Sequence, residues 1–305
     1  MLKLFIPVFI YIGAIVGAGF ASGQEIAVFF GLDSSGFAIP IAGFLFMLSS
    51  YRVFSDVNKY KIDTYDEYLN LKTYFFAPFF RIISILFCCA SYGIMVSGVH
   101  TVSENYNISS GGVIFAVICF IVFLFDLKGI EIVNIISTPL IIIGMILTGV
   151  RSIPVFADQA LKTTYYVAYN MLSCLPVLCS FNTYIKNKKQ AGVVAIISGL
   201  ILTLLMLIVN IVTPMNYTEM PMLKEATDAG LGGFYSVILI LAMLTTAVSS
   251  GFGFIKSSGI KPIYSNIILF LTSLVMLSFG FAPLVESIFV FFGILSTSLL
   301  FFVIF

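Results

Sequence analysis

The sequence predicts an all-α integral membrane protein of ten transmembrane helices. Three observations point there. Of 305 residues, 60% are apolar and 10% charged, about 45 charges fewer than the roughly 25% typical of a soluble domain would give. The charges gather in segments that separate ten charge-free runs of 18 to 29 residues, and a spanning helix needs about 20. No run has the length of about 10 residues and the alternating polarity of a transmembrane β-strand. The composition excludes a soluble globular enzyme, a disordered tail and a secreted disulfide scaffold.

The runs are 4–24, 34–51, 82–103, 105–125, 132–150, 163–185, 190–218, 229–255, 262–285 and 287–305. The first has only Lys3 before it and leads into a second apolar run, so it reads as a span and not as a cleaved signal. The connection from Arg52 to Arg81 contains Thr64-Tyr65-Asp66-Glu67. That is a capping-box pattern, and it predicts a short helix lying on the membrane face. A loop is expected from Arg151 to about Thr164. Another runs from about Pro214 to Gly233, where Pro221 opens a helix through Ala229 and Gly230 ends it.

With the N-terminus inside, the inner loops hold 12 Lys and Arg residues and the outer loops 3. Such an excess marks the cytoplasmic side, so both termini are expected there, in a multi-pass protein of the cell membrane. Five cysteines lie within apolar runs, odd in number and without metal-ligand spacing, and read as packing residues. Trp is absent, so Tyr and Phe must form the interfacial belts.

Span 1 reads Gly13-Ala14-Ile15-Val16-Gly17-Ala18-Gly19-Phe20-Ala21-Ser22-Gly23-Gln24-Glu25. Each of its four glycines costs a helix roughly 1 kcal/mol relative to Ala. Small residues also serve close helix packing, but Gly13/Gly17 and Gly19/Gly23 lie on different faces. Polar Ser22, Gln24 and Glu25 then sit at membrane depth. The sharper reading is a helix broken near Ala18–Ser22, with Ser22-Gly23-Gln24-Glu25 as a capping box that starts a second half-helix. Backbone groups freed at mid-membrane are tolerated where they line a cavity or bind something. A second break is expected in span 6, at Asn170-Met171-Leu172-Ser173-Cys174-Leu175-Pro176, because Pro removes a helix hydrogen bond. Spans 1 and 6 correspond if the chain is two five-helix halves, about 1–150 and 163–305. Paired interruptions of that kind point to a transporter site.

Ten spans with broken spans 1 and 6 resemble the LeuT-like fold of the amino acid–polyamine–organocation superfamily. Gly13 to Gly19 resembles the GxxVGxG stretch of its sodium-coupled members. Gly17-Ala18-Gly19-Phe20-Ala21-Ser22-Gly23-Gln24-Glu25-Ile26 is similar to the first span of the bacterial YkvI family. The resemblance implies a single transporter domain, a 5+5 inverted repeat with a solute site between spans 1, 3, 6 and 8. It implies solute contacts from Ala14, Ala18, Gly19, Ser22 and Glu25 of span 1, Tyr92 of span 3, and Asn170 and Ser173 of span 6. It also implies a sodium ion between the carbonyls of Gly13 and Val16 and hydroxyls of span 8. Two registers of span 8 fit, Ala242/Thr245/Thr246 and Thr246/Ser249/Ser250, and both stay open. Span 5 has no Lys, which favours sodium over a proton.

Glu25 has three open readings: a cap of the half-helix, a carrier of a proton, or a receiver of an amine. His100, the single histidine, is expected in hydrogen-bonded structure near the outer surface. Glu104 and Glu286 fall near outer span ends. The expected function is secondary transport of a small polar organic solute, amino acid or amine-like, sodium-coupled and by alternating access. The alternatives are proton coupling through Glu25 and a non-transporting solute sensor. No enzyme motif occurs. A net charge of +1 identifies no partner. The partners expected are the bilayer and the solute, with no nucleic acid and no cofactor beyond sodium. The oligomeric state stays open.

Overall fold

The computed structural model describes residues 2–30, 37–149, 160–212 and 220–305. All regular structure among them is helical. The chain runs α1 (Leu2–Ile15), α2 (Ala18–Ser22), α3 (Gln24–Phe30), α4 (Ala38–Tyr60), α5 (Tyr65–Thr73), α6 (Ala77–Glu104), α7 (Gly111–Phe123) and α8 (Asp126–Gly149). It continues with α9 (Ala160–Cys179), α10 (Lys188–Val212), α11 (Pro221–Asp228), α12 (Gly232–Ser257), α13 (Pro262–Met276), α14 (Phe281–Leu284) and α15 (Val290–Ile304). Among the described residues, each of the ten charge-free runs falls largely on helix. Among the described residues, seven helices are long and apolar enough to cross a membrane, whereas Leu4–Ile15 and Gly111–Phe123 are shorter apolar stretches. α9 carries Lys162, Asn170 and Ser173 and lies outside the seven. The chain is thus a multi-pass helical membrane protein embedded in the bilayer.

The centre is α12 and α6, which pack on each other. The apolar stretch of α12 is 78% buried, that of α13 only 22%, so α13 faces lipid. Several helix contacts recur in matching pairs. α1 packs on α8 as α9 packs on α15, and α6 on α7 as α12 on α13. α12 meets α8 as α6 meets α15, and α4 meets α9 as α10 meets α1.

The two connecting helices form where the caps predict. Thr64 Oγ1 accepts the Glu67 N–H (3.3 Å) at the start of α5, while Glu67 Oε2 accepts from the Asp63 N–H (3.1 Å). The α5 face with Tyr65, Tyr68 and Leu69 is buried, and Lys72–Asp56 and Arg81–Asp66 pairs (2.9 and 2.7 Å) tie the segment to α4 and α6. We expect Thr64→Ala to cost about 0.5–2 kcal/mol, seen as faster amide exchange confined to α5. α11 runs from Pro221, and Gly230 (φ +75°) follows its end. The expected loop from Arg151 lies largely outside the described residues, as does the start of the loop from Pro214.

Span 1 is interrupted at both ends of the stretch near which the break was expected. Ala18–Ser22 is a helical turn, and the interruptions flank it at Val16–Gly17 and at Gly23. At the first, the Gly17 N–H turns back to Ile15 O (2.8 Å), and the Ala18 N–H goes to Met95 Sδ (3.4 Å). At the second, Gly23 takes φ +87°, a left-handed conformation that favours glycine. The capping box forms by half. Ser22 Oγ accepts the Gln24 N–H (3.3 Å), and the Glu25 carboxylate turns to Tyr169 instead.

The expected break in span 6 is absent. α9 is continuous from Ala160 to Cys179 through Asn170 and Pro176. Pro176 lies in the last turn, where it removes one hydrogen bond and no more than one turn of helix follows it. The irregularity moves on to a tighter turn at Ser180–Thr183. Span 10 carries an interruption that hydropathy gave no sign of, a widened π-turn at Val285–Phe289 that includes Glu286. Such turns recur at functional positions.

Candidate functional site

The break at Val16–Gly17 redirects two N–H groups and so frees the carbonyls of Gly13 and Ala14, their usual acceptors four residues back. Both carbonyls face α12. Thr246 Oγ1 donates to Gly13 O at 3.2 Å, with Ala14 O at 3.5 Å. The approach is close because Gly17 lacks a side chain: a Cβ there would stand 2.6 Å from Thr246 Oγ1. A Cβ on Gly13, one turn earlier, would run into Asn134 Oδ1 of α8 and stand 2.7 Å from Thr138 Oγ1. The result is a buried patch of neutral oxygens from three helices. Oxygen donors of this kind suit a hard cation.

A second cluster lies further along α12. Ser250 Oγ is 3.0 Å from Ser91 Oγ of α6 and 3.2 Å from Ser173 Oγ of α9. All three are buried. Three hydroxyls from three helices offer both donors and acceptors to a polar group.

The third feature is Glu25, 3% exposed. The Tyr169 hydroxyl donates to Glu25 Oε2 at 2.6 Å. Tyr169 is held by rings: Phe289 is stacked at 4.9 Å, Phe29 stands at 5.2 Å and Tyr166 at 5.6 Å. Glu25 also lies so close to Gly19 that no Cβ fits there. Among the described residues no Lys, Arg or His makes an ion pair with Glu25. Beside it, Gln24 Nε2 donates to Glu286 Oε1 (3.1 Å), linking α3 to the π-turn of span 10. Tyr235 of α12 donates to Ala21 O (2.7 Å), which holds the turn of α2 in place.

The structure brings together Gly13, Ala14 and Thr246, and separately Ser173 and Ser250. Ala18, Gly19 and Ser22 are buried in the α2 turn, and Ser22 Oγ donates to Gly19 O (3.2 Å). Val16 is buried at the break itself. Four expected residues have other surroundings. Tyr92 packs on Phe123 of α7, 5.9 Å between rings. Thr245 donates to Ala242 O (2.9 Å) and Asn170 Nδ2 to Tyr166 O (2.9 Å), each within its own helix. Ser249 Oγ is buried without a hydrogen-bond partner. His100 Nε2 stands 3.4 Å from Glu104 in the last turns of α6.

The sequence reading missed Ser91, Asn134 and Tyr169. Ser91 and Tyr92 are neighbours, about 100° apart on a helix, and it is Ser91 that reaches Ser250. Tyr169 had a signal in its spacing from Tyr165 and Tyr166, one turn away on the face that meets span 1. Asn134 stood out as an amide inside an apolar run, where polar side chains are rare and functional.

No family model matches the chain. It is similar to the uncharacterized protein YyaD of Bacillus subtilis (strain 168), 25% identical over 315 residues that cover 95% of this chain and 92% of that protein. It is likewise similar to the uncharacterized membrane protein YkvI of Bacillus subtilis (strain 168), 25% identical over 321 residues, with 94% and 91% covered. The similarity runs the length of the chain and supports the YkvI-like reading of span 1.

Proposed function

We propose that the chain is a secondary transporter of a small polar organic solute, amino acid or amine-like, that works by alternating access and is coupled to sodium. The observation that carries this is the interruption of span 1 in mid-helix, with two freed carbonyls turned to a hydroxyl of α12. A membrane helix bears such a break where it binds something. The recurrence of packing between α1, α4, α6, α7, α8 and α9, α10, α12, α13, α15 supports a LeuT-like 5+5 repeat of ten spans. The continuity of α9 departs from it. On this reading the solute meets Ser91, Ser173 and Ser250 beside the Glu25 end of span 1, the sodium ion meets Gly13, Ala14 and Thr246, and both termini are cytoplasmic. The protein moves its solute and does not convert it.

The test is thermal unfolding of the purified protein in NaCl against KCl at equal ionic strength. A ligand at 100 times its dissociation constant adds about 2.7 kcal/mol, so a sodium-specific rise is expected. Thr246→Val keeps the shape, removes the hydroxyl and is expected to abolish the rise. Uptake into sealed vesicles separates a transporter from a sensor, which binds without flux.

A second reading, proton coupling, is favoured by Glu25. A carboxyl group within the membrane with a hydroxyl partner and no ion pair is a candidate proton carrier. It gains if the unfolding curves in NaCl and KCl coincide while uptake follows pH.

A further inference from the structure

We propose that the cation site is completed by a third helix: Asn134 of α8 supplies an oxygen ligand beside the Gly13 and Ala14 carbonyls and Thr246. This rests on the sodium-coupled reading and extends it, since that reading uses spans 1 and 8 alone.

Asn134 is fully buried. Its Nδ2 donates to Ile130 O at 2.9 Å. That bond fixes the orientation of the amide, because only the NH2 group can face a carbonyl oxygen. Oδ1 is therefore turned the other way, and it has no hydrogen-bond donor. A buried acceptor without a donor is unfavourable. Its neighbour is Gly13, the residue whose carbonyl the break has freed. Thr138, one turn along α8, sets a second oxygen against Gly13 while its own hydroxyl donates to Phe9 O (3.0 Å).

Chemistry and spacing identify the class of ligand. The oxygens are two carbonyls, a hydroxyl and an amide, with no carboxylate among them. A neutral set of hard donors suits a monovalent cation, whereas divalent calcium draws carboxylates. A cation of this size holds oxygens at about 2.4 Å, so neighbouring ligands at right angles stand about 3.4 Å apart. Thr246 Oγ1 stands 3.2 and 3.5 Å from the Gly13 and Ala14 oxygens, a separation that a hydrogen bond and a shared cation both allow. Asn134 then offers a lone pair from α8, so the ion would join α1 to both α8 and α12. Binding would set the relative position of these helices, which is how an ion can act on a transport cycle.

The experiment titrates NaCl against the unfolding temperature of the full-length purified protein, with KCl replacing it at constant ionic strength. Asn134→Ala is expected to move the sodium midpoint at least tenfold higher. Asn134→Asp keeps the size and an acceptor oxygen and adds a charge, and is expected to move the midpoint lower. If both variants titrate like the parent, the inference is overturned and the sodium reading stands. If the parent shows no sodium-specific shift, the sodium reading fails and the inference with it. Should Asn134→Ala not fold, Asn134→Asp decides: an unchanged midpoint overturns the proposal.

Discussion

Glu25→Gln is expected to leave the fold intact and to reduce uptake into proteoliposomes at least about tenfold, a change of roughly 1.4 kcal/mol. The carboxamide has the volume of the carboxylate and still accepts the hydrogen bond that Tyr169 donates at 2.6 Å. The ring contacts that hold Tyr169 against Phe289 and Phe29 do not involve Glu25, so the local packing survives. What the variant loses is the charge and the ability to exchange a proton. Glu25→Ala differs: it strands the buried Tyr169 hydroxyl, at a cost of about 1–3 kcal/mol. Thermal unfolding should therefore separate the two variants, and uptake should not. Wild-type uptake by Glu25→Gln would show that the carboxylate only fills space and would remove both its proton and its amine roles.

Gly17→Val should be the most damaging change at the break. Its Cβ would stand 2.6 Å from Thr246 Oγ1 and 3.0 Å from Thr246 Cβ, inside a wall already packed on both sides. Overpacking of this kind costs about 1–3 kcal/mol. Here it also pushes the hydroxyl off Gly13 O. We expect little folded protein and no sodium response. The milder Gly17→Ala allows a suppressor test. Adding Thr246→Ala removes the oxygen and the methyl in the way, so the double variant should melt higher than Gly17→Ala alone. It should still ignore sodium, because the hydroxyl is gone. A double variant no more stable than the single one would show that α1 and α12 do not approach as described.

The comparison of sequence and structure divides along a physical line. Hydropathy located the long helices, since a run of about 20 apolar residues has few alternatives in a bilayer. Thr64, Pro221 and Gly230 marked the short helices because caps are local chemistry. The break in span 1 was legible as four glycines in eleven residues, but not the helical turn that Ala18–Ser22 keeps between two interruptions. Gly17 stands at the first because Thr246 is adjacent, and nothing within span 1 reveals that neighbour. Pro176 did not break α9, which runs through it and ends three residues later.

Membrane residence, helical class, the spans and the unusual first helix follow from composition and local pattern, because each reflects a residue's own fit to lipid or to helix. Which side chains meet does not follow. Ser91 rather than Tyr92 faces Ser250, Thr246 rather than Thr245 faces Gly13, and Asn134 turns its oxygen to the same glycine. Each depends on the rotation of one helix against another. That rotation is set by the summed packing of residues far apart in the chain, and a shift of one residue, about 100°, changes the partner.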